Sequence, residues 1–149
     1  MTANDDIVPL RGTGDLRFAI IVDPQLASGL LANTVATIAI GLGARHHGSG
    51  NVRMTDSNGV TIFNSADRPV PILQANAAAL ASLLEKAHAP STDHSVVAFP
   101  AFARSLHSFE EYESLFPERR LMTEKLDGIG LCGPSKWVRS LTGSLKLLR

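Results

Sequence analysis

The chain has 149 residues, 44% apolar and 19% charged, with a formal net charge of zero. That balance excludes an intrinsically disordered chain, which needs low hydrophobicity and high net charge, and it removes any global attraction to nucleic acid or an anionic membrane. The length suits one domain with a sizeable core, and aromatics at 5% leave Leu, Ile, Val and Ala to build it.

Residues 1–15 are polar and acidic, carry Pro9, Gly12 and Gly14, and read as a flexible lead-in to a single α/β domain over 16–149. They lack the basic start and apolar core of a secretory signal. Leu16 to Val22 (LRFAIIV) is short, β-branched and almost continuously apolar, the pattern of a strand buried on both faces. Asp23, Pro24 and Gln25 break it. Ser28 is placed to cap a helix from Gly29 to Leu42, which Gly41 and Gly43 end. Its core stripe is Leu31, Val35, Ile38 and Leu42, but it is apolar on nearly every face, so packing on both sides is expected. The apolar run from Gly29 to Ala44 is interrupted by Asn33, Thr34 and Thr37 and is too short to span a membrane.

Asn51 to Asn64 (NVRMTDSNGVTIFN) reads as a hairpin turning at Ser57-Asn58-Gly59. Val70 to Leu73 is a short strand limited by Pro69 and Pro71. A helix follows from about Gln74 to Ala87, with Leu73, Ala77, Leu80, Leu84 and Ala87 on one stripe. Val96 to Phe99 is a buried strand. Ser108-Phe109-Glu110-Glu111 has capping-box spacing and opens a short helix to Phe116. Gly128 to Leu131 is a glycine-punctuated strand, and a last helix runs from about Ser135 to Thr142 between Pro134 and Gly143. Helices alternating with strands predict an α/β fold.

No Walker loop, GxSxG elbow, HExxH or CxxC is present. No metal site or cofactor is expected: His46-His47 runs into a Gly-rich loop, and His88, His94 and His107 are scattered near element ends. Cys132 is the only cysteine, which excludes an intrachain disulfide framework and points to a reducing, cytoplasmic setting. Its place before a helix start would lower a thiol pKa, against the commoner role of a buried structural residue. From Pro117 onward seven basic residues face three acidic ones, giving +4 against −4 for the rest, and no acid follows Lys136. Two places carry candidate ligand contacts. Asn33 and Thr37 lie one turn apart on the first long helix. The segment Gly128-Ile129-Gly130-Leu131-Cys132-Gly133-Pro134-Ser135 leads a strand into a helix start, where backbone N–H groups seat anions. With Asp23 at the end of the first strand, these outline a cleft beside the first helix: Asp23, Asn33, Thr37, Gly130, Gly133, Ser135, Lys136 and Arg139.

Three stretches, RFAIIVDPQLASGLLANTVATIAIGLGA, PVPILQANAAALASLLEKA and DGIGLCGPSKWVRSLTGSLKLLR, together resemble the uncharacterised family named domain of unknown function 2000. The resemblance runs from Leu16 to Arg149 and implies the fold of the archaeal and eukaryotic type of peptidyl-tRNA hydrolase: a three-layer α/β/α sandwich around a mixed, mostly parallel sheet. In those hydrolases the first helix opens with a Gly-Lys pair and carries a His about two turns on. Here Gly29 keeps the glycine, while Leu30 and Thr37 stand where the lysine and histidine would be. Leucine supplies no cation and threonine no base near neutral pH, so that activity is not expected.

The expectation is a protein that binds a small anionic or amphipathic ligand in the cleft, with neither nucleic acid nor membrane as a partner. Two alternatives stand beside it: an enzyme of other, hydrolase-like chemistry using Asp23, Thr37 or Cys132, and a structural homodimer with no ligand.

Overall fold

The computed structural model describes residues 15–89 and 91–149, so all but Asp15 of the lead-in expected at 1–15 lies outside the described residues. In chain order the elements are β1 (Leu16–Val22), α1 (Ser28–Arg45), β2 (Arg53–Thr55), β3 (Thr61–Phe63), β4 (Ile72–Gln74), α2 (Ala77–Ala87), β5 (Ser95–Pro100), α3 (Phe109–Leu115), β6 (Leu126–Pro134), α4 (Ser135–Thr142) and β7 (Lys146–Leu147). Five strands form one mixed sheet in the order β5-β6-β1-β4-β7, while β2 and β3 form a separate hairpin.

The apolar run of β1 is explained by what lies on its two faces. Phe18, Ile20 and Val22 pack with Ile38 and Leu42 of α1, whereas Ala19 and Ile21 pack with Leu80, Leu83 and Leu84 of α2 and Val138 of α4. Helices therefore cover both faces, and each fully buried Ile or Leu of this set contributes ~1.5–3 kcal/mol relative to exposure. Of the stripe expected on α1, Ile38 and Leu42 are buried, and Leu31 and Val35 are partly buried against the same cluster.

The sheet is mixed but not mostly parallel. Only β1 and β4 pair in parallel; β6 runs antiparallel to both β1 and β5, and β7 antiparallel to β4. The reason is the length of β6. Nine residues, not four, are in the strand, and Leu16 to Val22 pair with Pro134 to Gly128 in unbroken register. Most of the segment read as a strand-to-helix turn is thus ladder backbone: Gly128 to Cys132 lie between β1 and β5, and Gly133 and Pro134 pair with β1 alone.

Glycines in β6 admit α1 rather than a ligand. A Cβ at Gly130 would stand 2.3 Å from Ile38 Cγ2 and 2.9 Å from Leu42 Cδ1, and one at Gly128 would stand 2.9 Å from both Thr34 Cγ2 and the Ile21 carbonyl. Helix starts use local chemistry. Asn76 accepts from the Ala79 N–H (2.9 Å), and Ser108 accepts from Glu111 N–H (3.1 Å) while the Glu111 carboxylate reaches back to His107 N–H (2.9 Å). Helix α1 starts one residue earlier than expected: Ser28 is helical, and the cap position, Ala27, has no side-chain cap. Nor is α1 packed on both sides. Ala32, Ala36, Ile40 and Gly43 line an exposed outer face.

Candidate functional site

At the start of α4, beside the amino end of β1, a groove of about 810 Å³ is lined by Asp15, Leu16, Arg17, Arg68, Pro69, Val70, Pro71, Ser135, Lys136 and Arg139. Four cations come from three distant parts of the chain. Arg17 is the one charged residue of β1, Lys136 and Arg139 lie one turn apart on α4, and Arg68 comes from the loop before β4. Arg68 is held rigidly: its guanidinium donates to both carboxylate oxygens of Asp67 (2.8 and 3.0 Å) and to the Leu16 carbonyl (2.9 Å). The Asp67 hydrogen bond, ahead of the cost of burial, raises the Arg68 pKa further. Those bonds use three of five guanidinium N–H donors and leave two. Among the described residues no carboxylate pairs with Arg17, Lys136 or Arg139. Asp15 is the only acid among the described residues of the lining.

Of the residues expected at one cleft, Ser135, Lys136 and Arg139 line this groove, and the others do not. Asp23 follows the far end of β1: Leu16 faces Pro134 and Val22 faces Gly128, so Asp23 and Ser135 stand roughly 25 Å apart at ~3.3 Å per residue. Its carboxylate accepts from the Gln25 N–H (2.9 Å), which shapes the turn after β1. Asn33 and Thr37 face solvent on α1, and the Thr37 hydroxyl donates to the Asn33 and Thr34 carbonyls (2.9 and 3.2 Å). Gly130 is buried beneath α1, and a Cβ at Gly133 would meet His94 and Trp137 on the opposite face. The shared cleft therefore does not exist. Nor does Ser135 offer its N–H to a ligand, because the Asp15 carbonyl accepts it (2.7 Å). What lies beside α1 is an apolar groove of about 310 Å³ that includes none of the expected contacts.

Three other groups carry chemistry. Cys132 is fully buried, and desolvation pushes its thiol up to about 12 despite nearby Arg68, so it is not an activated nucleophile. His46, expected at the start of a Gly-rich loop, is buried in a T-shaped contact with Phe18. Its Nε2 lies 3.2 Å from Ser95 Oγ, its Nδ1 has no partner among the described residues, and burial followed by Arg45 and Arg68 lowers its pKa. At the opposite end of the sheet, fully buried Asp127 accepts two hydrogen bonds from Arg104, which tie the segment after β5 to the start of β6. Asp127 is the main cause raising the Arg104 pKa, with Asp23 contributing. No local sequence signal marks Arg17 or Arg68 as groove residues, since only the β1–β4 pairing brings them together.

No curated protein matches the sequence. The fold is similar to the solved structure of a protein of unknown function from Agrobacterium tumefaciens strain C58, at 19% identity and a TM-score of 0.80, covering 89% of this chain and 97% of that one. No helix among the described residues is long and apolar enough to cross a membrane. The model of a family described as protein of unknown function (DUF2000) matches residues 16–149, and the chain belongs to that family.

Proposed function

We propose that this protein binds a small ligand carrying a carboxylate or phosphate in the groove between β1, the loop before β4 and the start of α4. The observation that carries the reading is the convergence there of Arg17, Arg68, Lys136 and Arg139, three of them without an ionic partner among the described residues. Charge-assisted hydrogen bonds to an oxyanion are the strong ones, and a guanidinium already fixed by Asp67 and the Leu16 carbonyl loses little freedom in making them. The groove volume of about 810 Å³ suits a metabolite rather than a polymer. Leu16, Pro69, Val70 and Pro71 give it an apolar wall, so an amphipathic anion fits better than a bare ion.

Binding rather than hydrolysis is favoured by α1: by the resemblance, Leu30 and Thr37 stand where the hydrolases have lysine and histidine, and the Thr37 hydroxyl donates to helix carbonyls. The architecture reads as the hydrolase-like three-layer sandwich, supported by helices on both faces of the sheet. The lone buried Cys132 supports a reducing, cytoplasmic setting.

Thermal shift and calorimetry on the full chain test this with inorganic phosphate and a panel of mono- and dicarboxylates, against chloride at matched ionic strength. A ligand at a hundred times its Kd adds ~2.7 kcal/mol of stability. That gain should vanish in an Arg17→Ala, Lys136→Ala, Arg139→Ala triple variant. A gain that survives the triple variant, or the absence of any anion effect beyond chloride, would sink the proposal.

A further inference from the structure

The hairpin of β2 and β3 is an amphipathic ribbon whose faces are both exposed among the described residues. Direct cross-strand partners share a face, and the pairs here are Arg53 with Phe63, Met54 with Ile62 and Thr55 with Thr61. One face accordingly carries Arg53, Thr55, Thr61 and Phe63, with the two threonine hydroxyls 2.8 Å apart and Arg53 over the Phe63 ring. The other face carries apolar Val52, Met54, Val60 and Ile62, with Asn64 opposite Val52 and Asp56 opposite Val60 at its two ends. Apolar residues at alternate positions of both strands, broken on the other face only by Phe63, suit a ribbon with one buried face, and an isolated two-stranded hairpin is marginal in water. Yet these four side chains are 40–59% exposed. The tip is nevertheless well built: the Asp56 carboxylate accepts from Asn58 and Val60 N–H groups (2.8 and 2.9 Å), and Gly59 takes the left-handed turn conformation with φ 85°. The arm is ordered in advance of whatever covers it.

The neck of this arm forms one wall of the apolar groove beside α1. Ser49–Gly50 and Asn64–Ala66 face Ala39, Ile40 and Gly43 of α1 across it, and Ile40 is 73% exposed. We propose that arm and groove are the two halves of an isologous interface, in which the arm of one copy of this chain lies along the α1 groove of a second. Three observations commit the surface to a second copy. Arm and groove are contiguous, so a two-fold axis near the neck brings each arm over the other groove and closes the assembly. Formal net charge is zero, so two copies do not repel. Area also agrees. With whole-residue areas of ~150–180 Å², the four arm residues and Ile40 expose ~450 Å², most of it apolar, which approaches the apolar share of an interface of ~800 Å² per partner at ~60% apolar. The same pairing covers the outer face of α1, whose apolar Ala36, Ile40 and Gly43 a single chain leaves bare.

Sedimentation equilibrium of the full chain should report twice the 15.9 kDa chain mass. The Met54→Lys, Ile62→Glu variant should sediment as a monomer with unchanged circular dichroism, since both residues are exposed and outside the core. A second measurement separates reach between copies from folding back. When Ile40→Cys chains are mixed with Ile62→Cys chains and oxidised, a covalent dimer should form on non-reducing electrophoresis. A monomeric wild type, a dimer that persists in the Met54, Ile62 variant, or a doubly substituted chain that closes its disulfide within one monomer would each overturn the proposal.

Discussion

Replacing Gly130 by Ala tests how closely α1 sits on the sheet. The added Cβ would lie 2.3 Å from Ile38 Cγ2 and 2.9 Å from Leu42 Cδ1, against a carbon–carbon optimum of ~3.5–4.0 Å, so the overlap exceeds an ångström. Neither neighbour can swing into solvent, because both are 1% exposed. Relief requires α1 to lift from β6 or Ile38 to leave its rotamer. Overpacking of this kind costs ~1–3 kcal/mol, and a contact this short belongs at the upper end. Replacing glycine in a strand returns ~0.5–1 kcal/mol. The expected net loss is therefore about 2 kcal/mol, read as a lower urea midpoint at unchanged m-value. Ile38→Leu removes the offending branch methyl at nearly constant volume, so in a double-mutant cycle it should recover about half of that loss. A neutral Gly130→Ala, or a cycle with no coupling, would refute the claim that glycine is there to seat the helix.

Arg104→Met leaves fully buried Asp127 without its partner, and should cost ~3 kcal/mol, the low end for a broken buried pair because the guanidinium is a third exposed. Adding Asp127→Leu should restore much of that loss, measured by the same urea titration. Burial holds His46 below its ordinary pKa of 6.5, so the unfolded chain takes up the proton first as pH falls. Stability from this group is thus complete above pH 6.5 and drains away below it, with a slope of at most ~1.4 kcal/mol per pH unit. His46→Gln should flatten the melting temperature profile between pH 7 and 5, and an unchanged profile would show that other groups set it. Peptidyl-tRNA should remain intact in the presence of the purified chain, given Leu30 and Thr37. Release that scales with protein concentration, after host hydrolase is excluded, would contradict that expectation.

Elements whose signal is local were readable in one dimension. LRFAIIV gives a doubly buried strand because burial on both faces demands an unbroken apolar run, and α4 begins and ends where Pro134 and Gly143 place it. The capping box at Ser108 and the hairpin at Asn58-Gly59 depend on residues within a few positions of one another. The direction and length of β6 do not. GIGLCGP fits a strand followed by an anion-binding turn as well as it fits continuous strand, and only pairing with β1 and β5 settles it. That one decision moved Asp23 to the far end of the sheet from Ser135 and turned Gly130 from a ligand contact into a packing necessity. It left Lys136 and Arg139 at the start of α4, and supplied Arg17 and Arg68 as their companions in one groove. The physical reason is range. Capping, turn geometry and hydrophobic period act over one to four residues, whereas strand order, helix seating and the convergence of charges arise from contacts between segments dozens of residues apart, whose chemistry carries no mark of the partner.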